Sequence, residues 1–203
     1  MASHEREKPP VHERLIAAAF EEFSSKGILG STTRAIAERA GCNEVTLFRH
    51  FGSKEALLEA SVAHAAADLL DVCRLRGLAK GELRGDLRRF AGIYDGVMTR
   101  TEGIARALIG EGAGIPASIQ AFIGKILESF HGAMEAYLRD QRAAGAVSGA
   151  LDLAMVAQSF TATLAMGSLR RSAGHLSGER AAWLDHVAGL YARALGAESA
   201  AGE

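Results

Sequence analysis

The chain has 203 residues, 48% of them hydrophobic and 23% charged, the balance of a globular protein with room for a real core. A formal net charge of −1 excludes a protein that coats nucleic acid by bulk electrostatics, but it is compatible with a local DNA-binding face. No apolar run approaches the roughly 20 residues that span a bilayer, and the charged start MASHEREKPP lacks a signal peptide's apolar stretch. With only Cys42 and Cys73 there is no disulfide framework, so a cytoplasmic protein with no membrane partner is expected.

Prolines stand only at positions 9, 10 and 116, and the long stretches between are rich in Ala, Leu, Glu and Arg without alternating β-branched runs. The fold class predicted is all-α, with about nine helices. The first runs from about Val11 to Lys26, burying Leu15, Ala19, Phe20 and Phe23, with Gly27 as its stop. Thr32 caps a short second helix ending near Ala40, with Ile36 and Ala37 inward. Gly41 permits a tight turn, and Asn43 caps a third helix through about His50. After Gly52, Ser53 caps a long helix continuing to about Lys80.

Leu83, Leu87, Phe90, Tyr94 and Val97 are spaced for a fifth helix, and a shorter one covers Ile104–Gly110 before the loop EGAGIP. Beyond Pro116, the series Ile119, Phe122, Ile126, Phe130 and Met134 marks a long helix to about Ala144. Two last helices fit Leu151–Arg171 and Ser177–Leu195, separated by SAGHLSG, and residues 197–203 read as a flexible tail.

A helix, a Gly-containing turn and a second short helix form the pattern of a helix-turn-helix, whose second helix enters the DNA major groove. Here that helix carries Glu44, Val45, Thr46, Phe48, Arg49 and His50, while Leu47 and Phe51 point back to the preceding helices. The longer string STTRAIAERAGCNEVTLFRHFGSKEALL is far more specific than the spacing. It resembles the N-terminal domain of the TetR family of bacterial transcriptional repressors, matching that pattern at Thr33, Ile36, Ala37, Ala40, Gly41, Thr46, Leu47, His50, Phe51, Ser53, Lys54, Glu55 and Leu57. The departures are Cys42 for Val, Asn43 for Ser, and Phe48 for a Tyr whose hydroxyl commonly reaches a phosphate; the Phe48 ring keeps only apolar contact with a thymine methyl or sugar.

The resemblance implies a DNA-binding domain over residues 1–53, with 1–10 flexible, and a ligand-binding and dimerisation bundle over 54–196. Thr33 and Arg34 are placed to meet a phosphate, as is Lys54, and Thr46, Arg49 and His50 to bond phosphate or base, with Arg49 suited to guanine. Glu44 either accepts from a cytosine amine or caps its helix. Members of the family hold a ligand among the later helices, and Phe90, Tyr94, Met98, Phe122, Ile126, Phe130, Met134, Met155, Phe160 and Thr163 suit a largely apolar pocket. They dimerise through the last two helices, for which Ala162, Ala165, Trp183, Val187, Leu190 and Ala194 are the residues expected at the interface.

The function expected is a homodimeric repressor on double-stranded, palindromic operator DNA, released by a small-molecule effector. The alternatives are a redox-responsive regulator acting through Cys42 and a DNA-binding regulator without a ligand. No enzyme, cofactor or metal is expected: the pairs His64/Asp68 and His131/Glu135 have metal-ligand spacing but no identifiable third ligand.

Overall fold

A computed structural model describes residues 9–67, 82–111, 114–148 and 151–196. Among the described residues every regular element is a helix: α1 (Val11–Gly30), α2 (Thr33–Arg39), α3 (Glu44–Phe51), α4 (Lys54–Ala65), α5 (Leu83–Arg100), α6 (Glu102–Glu111), α7 (Ala117–Ala143), α8 (Leu153–Ser172) and α9 (Arg180–Ala194). The fold is all-α, as the sequence predicts. The expected continuation of α4 to Lys80, and Cys73 within it, lie outside the described residues.

The chain groups into two compact units, one comprising Met1–Ala65 with Gly103–Phe122 and the other Ala66–Glu102 with Ile123–Glu203. The sequence reading draws the first domain at residue 53; here α4 belongs with it, because Leu57, Leu58 and Val62 are buried where α4 packs on α1. Leu15, Ala19 and Phe23 from α1, Ile36 and Ala37 from α2, and Leu47 from α3 complete that core. Each fully buried Leu, Ile or Phe contributes about 1.5–3 kcal/mol relative to exposure.

Local signals define the ends of the short helices. Thr32 accepts a hydrogen bond from Ala35 N at 3.2 Å, and Asn43 accepts from Thr46 N at 2.8 Å, each satisfying an amide that the helix cannot. Gly41 has φ 69°, the left-handed conformation that the turn between α2 and α3 requires. At Gly27 the chain also turns left-handed (φ 77°), so α1 breaks where the sequence predicts its stop and a last turn follows to Gly30.

In the second unit α5, α8 and α9 pack on one another around Leu87, Phe90, Tyr94, Phe160, Leu164, Leu184 and Ala188. Two buried carboxylates are held by partners, as burial of charge demands. Asp86 accepts from the Tyr137 hydroxyl at 2.7 Å and pairs with Arg89; Asp95 takes the Ser168 hydroxyl and the Arg180 guanidinium, tying α5 to both α8 and the start of α9.

Candidate nucleic-acid interface

α3 is eight residues long and turns about 100° per residue, so Val45, Phe48 and Arg49 share one face while Leu47 lies opposite. Leu47 is 0% exposed and anchors the helix; Val45 is 76% and Phe48 44% exposed, and Arg49 and His50 also face solvent. Large apolar side chains left in water on so short a helix, beside two basic ones, describe a surface built to be covered by something with negative charge and apolar groups.

The other residues singled out from the sequence divide by what their donors already do. The Thr33 hydroxyl donates to the Glu44 carboxylate, linking the first turn of α2 to the first turn of α3 and fixing Glu44 in orientation. The Thr46 hydroxyl donates to Asn43 Oδ1 at 2.8 Å, so it is engaged in the cap. Arg34 is exposed and pairs with Glu38 one turn along α2 at 2.9 Å. Arg49 has no ion-pair partner among the described residues.

Lys54, expected at a phosphate, has its ammonium on two backbone carbonyls, Ile28 O and Ser31 O, each at 2.6 Å. It closes the carboxyl end of α1, where unpaired carbonyls and the helix dipole favour a cation. The same segment is held from its other side by Glu111 at the end of α6, which accepts from Ile28 N at 2.9 Å and Leu29 N at 3.1 Å. A side chain at Gly27 would meet the Glu111 carboxylate and displace it, and the positive φ of 77° is what calls for glycine there. Sequence reasoning missed Glu111, since no local pattern ties residue 111 to residue 28.

His12 is also missed. It stands exposed at the start of α1 with its ring stacked on Phe51 (centroids 4.7 Å apart) and 5.9 Å from the His50 ring, which adds a histidine to the α3 side of the head. Arg14 joins the same corner by donating to Ala40 O at 2.9 Å. Deeper in, the buried Glu22 carboxylate pairs with Lys26 at 2.5 Å and Arg39 at 3.3 Å. The Lys26 ammonium, and Arg39 after it, hold the Glu22 pKa below the usual carboxylate value against the opposing effect of burial. Cys42 is a half-buried free thiol in the turn.

In the second unit the expected pocket residues separate. Phe90, Tyr94, Ile126, Phe130, Met134 and Phe160 are buried, and Met98 and Thr163 half-buried, with the Thr163 hydroxyl 3.0 Å from the Tyr191 hydroxyl. Met155 is instead 60% exposed: it falls in the first turn of α8 on the outer side, so it lines no interior. Phe122 groups with the first unit. Burial pushes the Tyr94 phenol up to about 12, and His131, whose Nε2 lies 2.8 Å from Thr161 Oγ1, has its pKa lowered by burial against the attraction of Glu128.

Of the residues expected at a dimer interface, Ala162, Leu190 and Ala194 are exposed and Ala165 and Trp183 half-buried. Val187 is instead 3% exposed, packed inside its own unit, because α9 turns that side toward α5 and α8. Trp183 lies against Gly167, where an added Cβ would overlap the ring, and beneath the Arg171 guanidinium at 5.3 Å. The apolar side chains α8 and α9 leave outside are Met155, Met166 and Leu190. No helix among the described residues is long and apolar enough to cross a membrane, and no three His, Cys, Asp or Glu residues among them come together as metal ligands.

Residues 15–61 match the family model described as bacterial regulatory proteins, tetR family. A Bacillus subtilis relative, the uncharacterized HTH-type transcriptional regulator YvkB, is 33% identical over 78 residues; that alignment spans 38% of this chain and 38% of the relative's own length. The fold is similar to that of the fatty acid degradation regulator FadR from Bacillus halodurans (TM-score 0.76, 16% identity, 92% of this chain and 97% of that one). It is similar too to the transcriptional regulator FadR from Bacillus subtilis, solved in complex with stearoyl-CoA (TM-score 0.75, 16% identity, 89% and 97%). Together with the helix-turn-helix geometry of α2 and α3, this match shows that residues 15–61 form an N-terminal domain of the kind found in bacterial regulatory proteins of the tetR family.

Proposed function

We propose that the chain is a ligand-responsive repressor of transcription that binds a palindromic operator as a homodimer. The observation that carries this reading is α3: an exposed face of Val45, Phe48, Arg49 and His50 on a helix anchored by the buried Leu47. Arg49 supplies a guanidinium fork for guanine, Arg34 and His50 reach phosphates, and Lys54 contributes chiefly by fixing the end of α1 on which α2 and α3 are built. One eight-residue helix reads too few bases for useful specificity, so two heads about 34–36 Å apart, one turn of DNA, are required. Met155, Met166, Ala162, Leu190 and Ala194 on the outer sides of α8 and α9 are the surface proposed to join the two copies.

The effector is a small, largely apolar molecule held among Phe90, Tyr94, Phe130, Met134 and Phe160, with His131 and Thr163 offering polar contacts. A long-chain acyl thioester is the first class to try, since a fold neighbour is solved with stearoyl-CoA. Binding that favours a head spacing other than the operator's releases DNA, and operator then weakens effector binding by the same factor.

In vitro selection with the full chain, with its oligomeric state measured by light scattering, tests the reading. A palindromic motif bound by a dimer is expected, and Arg49→Ala should weaken it by about 10–100-fold per half-site and relax one base pair in each. Absence of any enriched motif, or a monomer at micromolar concentration bound one head at a time, overturns it.

A further inference from the structure

Val45 and Phe48 are two of the few large apolar side chains that the first unit leaves in water, and both stand on the eight-residue α3. Neither has a structural task there. Leu47 on the opposite side anchors the helix, and Phe51 stacks on His12. Arg49, one turn beyond Val45 and adjacent to Phe48, makes the face cationic, so whatever covers it offers negative charge around an apolar group. In the DNA major groove the apolar group of that kind is the thymine C5-methyl; the edges of guanine, adenine and cytosine present hydrogen-bonding atoms there.

We infer that Val45 and Phe48 are specificity-determining residues that each read a thymine methyl, so that every operator half-site carries two thymines beside the base met by Arg49. The inference rests on the reading of α3 as the DNA-facing helix and goes beyond it by naming the base chemistry. Along α3 the two side chains are separated by about 4.5 Å at 1.5 Å per residue. Base pairs stack about 3.4 Å apart, so the two methyls lie on neighbouring or next-neighbouring steps. Phe48 cannot donate a hydrogen bond, which removes a phosphate as its partner and leaves contact with a methyl or a sugar. Its place on the same face as the fully outward Val45 favours the groove floor over the backbone. Glu44, oriented by the Thr33 hydroxyl at the edge of this face, adds an acceptor that disfavours a phosphate on its side and admits an exocyclic amine.

The test is a methyl-deletion scan on a selected operator with the full chain. Each thymine of a half-site is replaced in turn, in both half-sites together, by deoxyuridine, which removes only the methyl and keeps the pairing. At two positions the affinity of the unaltered protein should fall by about fourfold per methyl, or about 16-fold for the symmetric pair. Val45→Ala should abolish the distinction between thymine and uracil at one of these positions and Phe48→Ala at the other. Both residues are exposed, and the scan on the unaltered protein needs no variant to fold. Equal affinity for every uracil-substituted operator overturns the inference while leaving the DNA-binding reading intact; so do losses that persist undiminished in both variants, since another residue then reads the methyl. A selection that enriches no motif sinks the underlying reading, and the inference with it.

Discussion

Lys54→Met separates a structural lysine from a phosphate-binding one. The ammonium donates to Ile28 O and Ser31 O at 2.6 Å each, both residues being buried, and the remaining proton is all it can offer DNA. A hydrogen bond from a charged donor contributes about 1.5–3 kcal/mol net. The two here share one half-buried cation, and water recovers part of what the carbonyls lose, so about 2–3 kcal/mol is expected for the pair. Methionine keeps most of the stem's packing, which confines the change to the ammonium. At about 2–4 °C per kcal/mol for a chain of this size, Tm should fall by about 4–12 °C. Circular dichroism measures the melt, and operator titrations from 50 to 200 mM salt measure the electrostatics. A phosphate contact contributes about 0.9 to the salt slope per head, and the variant should leave that slope nearly unchanged. An unaltered Tm with a slope lowered by about 1 per head would refute the argument and return Lys54 to the phosphates.

Glu111→Ala should release the Ile28 and Leu29 amides, seen as faster hydrogen exchange at those two positions with a loss of about 1–3 kcal/mol in stability. Protection unchanged at both would show that Glu111 does not hold them. Glu22 has a folded pKa below its ordinary value, so the stability it contributes is complete above that value of 4.5 and is lost as pH falls through the lowered pKa. Glu22→Gln should accordingly be less stable than the parent at neutral pH, the difference shrinking in acid. His131 is also lowered, from 6.5, and being held neutral it favours the folded state fully above 6.5 and progressively less as pH falls from there toward the lowered pKa. His131→Phe should flatten the stability profile over that window, and an unchanged profile would place the pH dependence elsewhere.

The features legible in the sequence are those whose cause is local. Thr32 and Asn43 cap helices because a side-chain oxygen reaches an amide three residues on, and the break at Gly27 follows from a residue that tolerates positive φ. The burial of Leu15, Phe23, Leu87 and Tyr94 follows from a period of 3.6. Leu47 inward with Val45, Phe48, Arg49 and His50 outward is equally local, because one helix turn relates them, and this is why the candidate interface was readable. What depended on the tertiary structure are the choices between partners far apart in the chain. Lys54 looks like any lysine at a helix start until the end of α1 lies within 2.6 Å of its ammonium. Glu111 looks like a surface acid until two amides 82 and 83 residues earlier face it. Val187 and Leu190 sit in one apolar stripe of α9, yet the packing of α5 and α8 buries the first and leaves the second outside. Periodicity states that a side is apolar; only the arrangement of the other helices decides which residues of that side are covered, since burial depends on what is placed opposite.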